Sequence, residues 1–248
     1  MSGTLTDRTA LIMGANGGIG GAIAHALGAA GARLVLAARD QTRLDQLRAD
    51  LEDQGVSCRV VAADIADDES VRSLIEEAAA DGMSIAINNA GAVHRPTRLG
   101  DLAIEDIDRV LRVTLRGTFL AMRHELGALP DGGSIVNVVS TAGLTGAPGM
   151  AAYVAAKHAV VGLTRTAALD YADRGVRVNA VAPGSIESGG ITAQPIEVKE
   201  QIGSYAPLGR LGRGEEVAAA VAWLASPAAS YTTGTVLSVD GGKGARGA

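Results

Sequence analysis

Short β-branched apolar runs alternate with Ala- and Leu-rich stretches along the whole chain, and this alternation leaves few folds open. Candidate strands are Thr9–Met13, Arg33–Ala38, Cys58–Ala62, Ser84–Asn88, Ser134–Ser140, Val176–Val181 and Thr235–Val239. Helical patterns lie between them, at Thr42–Gln54, Ser70–Ala80, Ile104–Leu126, Met150–Arg174 and Glu215–Ala225. Strands that are apolar on both faces and separated by helices must be covered on both sides, which points to a parallel sheet. The expectation is an α/β, doubly wound fold, a parallel seven-stranded sheet with helices on both faces and a ligand crevice at the carboxyl ends of its strands. No Pro- and Ser-rich linker divides the chain, so residues 1–248 are expected to form a single domain. The longest irregular stretch, 184–214, contains Pro195 and Pro207. Its length suits a substrate lid.

Composition removes several classes of function. With 27 acids against 22 bases the net charge is −5, whereas a nucleic-acid binder should show a basic excess. One Phe, one Trp and four Tyr provide no platform for stacking bases. The core must therefore come from Ala, Val, Leu and Ile. The lone cysteine, Cys58, excludes an internal disulfide framework and a thiolate metal cluster, and reads as a small core hydrophobe. His25, His94, His124 and His158 show no metal spacing with acidic partners, so no metal site is expected. Thr9–Ala32 lacks Asp, Glu, Lys and Arg, but seven glycines, Asn16 and His25 interrupt it, and no apolar signal core precedes it. A soluble, cytoplasmic protein without a membrane span is the expectation.

The first chemical signal is Gly14-Ala15-Asn16-Gly17-Gly18-Ile19-Gly20, between an apolar strand and an Ala-rich helix. Glycines allow a tight turn and let backbone N–H groups approach a pyrophosphate at the positive end of a helix. A plain strand–helix turn also uses glycines, but this cluster follows the first strand, where the dinucleotide crevice of a Rossmann fold belongs. The second signal is Tyr153-Val154-Ala155-Ala156-Lys157, with Ser140 thirteen residues before the tyrosine at a strand end. Tyr153 and Lys157 are four apart and share a helix face. An ammonium beside a phenol favours the phenolate and lowers a pKa of ~10, which would make Tyr153 a general acid and base. Ser140 could hold a substrate oxygen beside it.

These residues resemble the short-chain dehydrogenase/reductases of the single-domain type, and the likeness runs from Thr9 to Gly242. It takes in the glycine loop, Asn88-Asn89-Ala90-Gly91, the Ser140/Tyr153/Lys157 set, Asn179-Ala180-Val181-Ala182-Pro183-Gly184 and Val239-Asp240-Gly241-Gly242. The resemblance implies hydride transfer between a nicotinamide and a carbonyl/alcohol pair. On it, Tyr153 is the acid/base, Ser140 orients the carbonyl, and Lys157 holds the nicotinamide ribose and lowers the tyrosine pKa. Gly14, Asn16, Gly17, Gly18, Ile19 and Gly20 would hold the pyrophosphate. Asp64 with Ile65 would meet the adenine, and Asn89, Ala90 and Gly91 the ribose and nicotinamide side. Pro183, Gly184, Ile186 and Ser188 would contact the nicotinamide end. Locally, Asp64 also reads as a helix-capping carboxylate and Asn89–Gly91 as a simple turn.

Relatives that prefer NAD commonly carry an acid at the end of the second strand, where this chain has Ala38 and Arg39. A guanidinium suits a 2′-phosphate. Such a contact, worth ~1.5–3 kcal/mol, gives a preference of ~10–150-fold. NADP(H) is therefore favoured, with NAD(H) as the alternative. Asp40 could pair with Arg39 or Arg43, and Gly17 stands where many NADP-preferring relatives have a second base. Three positions depart from the family pattern. Met13 replaces a Thr, Ala156 replaces a Ser, and Thr114 replaces the Asn whose amide helps hold a water leading from the lysine. Thr114 is thus a candidate in the proton relay, able to keep a water in a different place.

Within the family the chain is similar to 3-oxoacyl-carrier-protein reductases and to small alcohol, polyol or sugar-acid dehydrogenases. Expected partners are a small carbonyl or alcohol substrate, free or carried on an acyl carrier. Arg95, Arg98, Arg112 and Arg116 could meet an acidic carrier, although Asp101, Glu105, Asp106 and Asp108 dilute them. His94 and Arg95 read as a solvated loop near the cleft. Relatives imply a homotetramer built through Ile104–Leu126, Met150–Arg174 and the last strand. The reading from a different class is a nucleotide-sensing protein that has lost catalysis.

Overall fold

The computed structural model describes residues 3–245. Its elements run β1 (Thr9–Met13), α1 (Gly18–Ala29), β2 (Arg33–Ala38), α2 (Gln41–Glu52), β3 (Cys58–Ala62), α3 (Asp68–Ala80), β4 (Met83–Asn88), α4 (Ile104–Val110), α5 (Gly117–Ala128), β5 (Ser134–Val138), α6 (Ala151–Asp170), β6 (Arg177–Pro183), α7 (Ile196–Gly203), α8 (Gly214–Ala225) and β7 (Val236–Val239). The seven strands form one parallel sheet in the order β3-β2-β1-β4-β5-β6-β7. The order reverses between β1 and β4, so the loops leaving these two strands diverge and open a crevice at their carboxyl ends.

Alternation along each strand splits the core in two. Ile12, Leu36, Ile87, Val136 and Val181 face α1 and α8, and pack with Ile23, Leu27, Val217 and Val221. Their neighbours Leu11, Val35, Ala86, Ile135 and Val178 face the other way, against Leu74 and Ile75 of α3 and Ala121 and Leu126 of α5. Each of the larger side chains contributes ~1.5–3 kcal/mol by leaving water. Because both faces are covered, the strands read as continuous apolar runs.

Three expected elements change. The helical pattern Ile104–Leu126 is three segments: α4, a wide π-helical turn at Leu111–Arg116, and α5. α5 begins at Gly117, where an added Cβ would stand 2.9 Å from Ile65 Cγ1 and 3.0 Å from the Ile65 carbonyl oxygen. That close approach explains why a glycine interrupts the run. β5 ends at Val138, which leaves Ser140 outside the strand, capping a 3₁₀ turn at Thr141–Gly143. The stretch 184–214 is not wholly irregular, because α7 lies inside it behind Pro195. Its stems are tied by hydrogen bonds from Glu187 N–H to Gly212 O and from Gly212 N–H to Ser185 O. Among the described residues no helix is long and apolar enough to cross a membrane.

Candidate active site

The turn after β1 packs directly on the loop after β4. Gly14 has φ +79, a left-handed conformation, and a Cβ there would lie 2.7 Å from the Ala90 nitrogen. A Cβ on Gly20 would come within 2.1 Å of the Gly14 carbonyl oxygen. Only glycine fits at either position. Asn89 completes the joint, its Nδ2–H donating to Gly14 O at 2.8 Å and its backbone N–H to Met13 O at 3.0 Å. α1 starts after Gly17 with no side chain capping its first turn, so its positive end faces the crevice with N–H groups to offer.

Two cavities share this joint. The smaller, about 220 Å³, is lined by Gly14, Asn16, Gly17, Ala38, Arg39, Asp64, Ile65, Asn89, Ala90 and Gly91 among others. Asp40, next to Arg39 in the chain, is committed elsewhere, since its Oδ1 accepts the Arg43 N–H at 3.1 Å and caps α2. Among the described residues no side chain pairs with the Arg39 guanidinium. Asp64 does not cap α3; Asp67 does. The Asp64 carboxylate instead accepts the Ala66 N–H at 2.9 Å and folds the turn that sets Ile65 against the cavity.

The larger cavity, about 1250 Å³, brings together Ser140, Tyr153 and Lys157 with Gly17, Gly18, Ile19, Asn89, Gly91, Pro183, Gly184, Ile186 and Ser188. Ser140 Oγ accepts the Ala142 N–H at 3.1 Å, which holds the side chain and leaves its O–H to donate. Lys157 is buried, and its Nζ donates to the Val138 carbonyl at 2.8 Å. Burial without a carboxylate pushes its pKa down to about 8. Nζ stands 5.8 Å from the centre of the Tyr153 ring. The expected depression of the tyrosine pKa is not the net result in the protein alone. Burial pushes the phenol up and the Ser140 hydrogen bond recovers only part of that shift. Removing a phenolate from water outweighs the neighbouring hydroxyl.

Thr114 lines neither cavity and sits fully buried behind Gly91, in the π-helical turn. Its Oγ1 accepts the Ala92 N–H at 2.9 Å and donates to the Ala92 carbonyl at 3.1 Å. A hydroxyl has one proton, so its donor is spent on the backbone and it can hold a water only as acceptor. These two bonds give it a local task, fixing the Asn89–Ala92 loop. A Cβ on Gly91 would be 3.5 Å from Thr114 Oγ1 and 3.8 Å from Lys157 Nζ, so three chain segments meet here.

The loop at His94 is solvated at Val93, Arg95 and Pro96 but not at His94 itself. His94 is buried and donates from Nδ1–H to Arg95 O at 2.8 Å, and the loop lines the larger cavity. Thr97 N–H donates to Gly149 O and Arg109 Nη2–H to Val93 O, which draws the loop against the start of α6. Val93, Pro96, Met150, Ile191, Val198 and Ile202 form the apolar wall of the cavity and were absent from the sequence reading. Nothing in their spacing marks them; only position after the Asn-Ala-Gly turn and within 184–214 does. Of the arginines considered for an acidic carrier, Arg116 donates to Ala66 O and Arg95 lines the larger cavity. Among the described residues no cluster of His, Cys, Asp or Glu could hold a metal.

Comparison with known proteins gives the geometry a family. Residues 14–243 match the family model described as enoyl-(acyl carrier protein) reductase. The chain is 39% identical over 246 residues to cis-4-hydroxycyclohexanecarboxylate dehydrogenase of Sinomonas cyclohexanicum, covering 98% of each. It is 38% identical over 245 residues to cyclohexanol dehydrogenase of Acinetobacter sp. (strain SE19), covering 97% of this chain and 96% of that one. A crystal structure of an Agrobacterium tumefaciens protein with bound NADP superposes with a TM-score of 0.89 at 35% identity, covering 98% of each chain. Similarity of this extent leaves one assignment: the chain belongs to the short-chain dehydrogenase/reductase family and is an oxidoreductase acting on CH–OH and C=O groups.

Proposed function

We propose that the protein transfers a hydride between NADP(H) and an alicyclic or similarly compact apolar ketone/secondary alcohol pair, with Tyr153 as general acid/base. The observation that carries this reading is the Ser140/Tyr153/Lys157 set on one cavity wall, with the glycine turn on the other. The dinucleotide fits the residues present: the Gly14/Gly20 backbone leaves no room for side chains, and α1 offers uncapped N–H groups. Gly14, Asn16, Gly17, Gly18, Ile19 and Gly20 would take the pyrophosphate, Asp64 and Ile65 the adenine, and Asn89–Gly91, Pro183, Gly184, Ile186 and Ser188 the nicotinamide side. Arg39, with no acid paired to it among the described residues, suits the 2′-phosphate. The bound nicotinamide supplies or accepts the hydride.

The chain's own residues manage the proton. Ser140 Oγ–H donates to the substrate oxygen and keeps it beside the Tyr153 phenol. On reduction Tyr153 gives its proton to that oxygen, and on oxidation it takes one back. Lys157 places a charge beside the phenolate that forms, which lowers the cost of that burial when it is needed. The apolar wall from Val93 to Ile202 favours a hydrocarbon ring, as in the substrate names of the two curated relatives. A single domain with a lid at 184–214, hinged at the tied stems, would close over it. Exposed Phe119 and Leu169 on α5 and α6 support burial of that face in a cytoplasmic homotetramer.

The test is oxidation of NADPH, followed by absorbance, with cyclohexanone-type ketones, open-chain ketones and an acyl-carrier-bound 3-ketoacid. Turnover of the rings with NADPH far above NADH supports the proposal. Preference for NADH and sugar acids would transfer it to a polyol or sugar-acid dehydrogenase. Tight cofactor binding with no turnover of any carbonyl would mean a nucleotide sensor.

A further inference from the structure

At the opposite end of the sheet, under the carboxyl end of α8, lies a cavity of about 230 Å³ that no part of the proposed reaction uses. Arg8, Ser84, Ser134 and Arg177 line it, and no carboxylate does. These four residues stand at the amino ends of β1, β4, β5 and β6, which are consecutive in the sheet. Ser134 pairs with Arg177 in register, so their side chains rise from the same face. Ser84 is set by an irregularity: Thr9 pairs with Met83 but Ala10 pairs with Ile85, leaving Ser84 as an extra residue in β4. A bulge of this kind re-aims a side chain. The Ser84 hydroxyl is buried, in a residue only 6% exposed, and has no hydrogen-bond partner among the described residues. A buried hydroxyl left unpaired is uncommon enough to need a reason.

The charges are also unbalanced. Arg177 donates from Nη1 to Leu224 O and from Nη2 to Ala225 O and Ser226 O, so carbonyls hold its plane while its charge goes unneutralised. Burial and the nearby Arg8 both disfavour that charge. Among the described residues Arg8 has no ion pair. Arg8 and Arg177 are three strand spacings apart, roughly 14 Å at the backbone, a gap two arginine side chains can close on a shared ligand.

We propose that this cavity binds a phosphate group, free or as a small monoester. Two guanidiniums match its double charge; Arg8 can offer its fork to two oxygens, and Arg177, with both Nη2 protons on carbonyls, its remaining N–H groups. The Ser84 hydroxyl supplies a neutral donor between them, while the Ser134 hydroxyl already donates to Leu224 O at 3.4 Å and offers the site only its lone pairs. Strands of five to seven residues separate this site from the crevice, by roughly 17 Å or more, so phosphate and cofactor bind independently. The proposal stands whether or not the reading of the active site does.

The test is isothermal titration calorimetry on the full chain carrying Arg39→Ala, which removes the other candidate phosphate contact, at constant ionic strength in chloride. Inorganic phosphate is titrated in one arm and glycerol phosphate in the other, which separates the free ion from the ester. The expected result is saturable binding at one site in at least one arm, unchanged by saturating NADP⁺. Adding Arg8→Gln should weaken it about tenfold or more, the loss of one charge-assisted bond. Ser84→Ala, which keeps both charges, should weaken it about threefold or more, and it serves as the test if Arg8→Gln does not fold. Absence of saturable binding in both arms overturns the proposal. So does displacement by NADP⁺, or affinity unchanged in every folded variant.

Discussion

Replacing Glu125 with glutamine should stabilise the protein increasingly as pH rises through neutrality. Glu125 projects from α5 into the core, where it is fully buried. Its Oε2 accepts an N–H from Asn88 Nδ2 at 3.0 Å, while Oε1 has no partner among the described residues. The network continues from Asn88 Nδ2 to Asn137 Oδ1 and from Asn137 Nδ2 to Thr164 Oγ1, all neutral groups. Among the described residues no cation balances the carboxylate. Burial pushes its pKa up to about 7 from 4.5, and the Asn88 hydrogen bond offsets only part of this. The native state therefore holds a proton that the unfolded chain has released between those two values. The stabilisation is complete below about pH 4.5 and lost as pH rises through 7. A shift of this size, at ~1.4 kcal/mol per pH unit, amounts to roughly 3 kcal/mol. Glutamine has nearly the same shape, keeps an oxygen for Asn88 and cannot ionise. The difference in unfolding free energy between Glu125→Gln and wild type should thus grow by about 2–3 kcal/mol from pH 5 to pH 8.5, whatever its constant part. In melting temperature this is roughly 5–10 °C for a chain of this size. Paired denaturation curves at fixed protein concentration, taken across that range, measure it. A difference that stays flat with pH would refute the reasoning, because then Glu125 does not titrate between the folded and unfolded states.

Tyr153→Phe should lower kcat by ~10²–10⁴ while cofactor binding persists; near-normal turnover would remove the tyrosine from the chemistry. Arg39→Ala should weaken NADPH binding by ~10–150-fold with little effect on NADH, and fluorescence titration of both cofactors separates this from a general loss of structure. Thr114→Val removes two buried hydrogen bonds to Ala92 and should destabilise the protein by ~1–3 kcal/mol and raise the cofactor KM more than it lowers kcat. Thr114→Asn should change kcat by less than about tenfold. If Thr114→Val matches wild type in stability and KM, the loop is held by something else.

Much of the fold was written in local patterning, because a strand buried on both faces must be apolar throughout and a helix beside it must be amphipathic. The glycine turn was legible for the same kind of reason: a positive φ at Gly14 and the contact at Gly20 exclude every other residue. Tertiary contacts were less visible. Gly117 resembles any helix glycine until Ile65 is seen against it, and the burial of His94 depends on a loop held by Gly149, more than fifty positions away. The direction of the Tyr153 shift was not legible, because sequence supplies the neighbouring charge but not the loss of water around the phenol.

The joint between the β1 turn and the β4 loop has a thermodynamic consequence. Asn89 is fastened to Gly14 and Ala92 to Thr114 by bonds internal to the chain, so the backbone of that half of the crevice is ordered as part of folding. Its conformational entropy is surrendered once, by the polypeptide, and is not charged again to each ligand that docks there. Affinity in that half then reports contact quality almost directly, and a substitution that loosens the joint weakens every ligand of the crevice in common without altering which one is preferred.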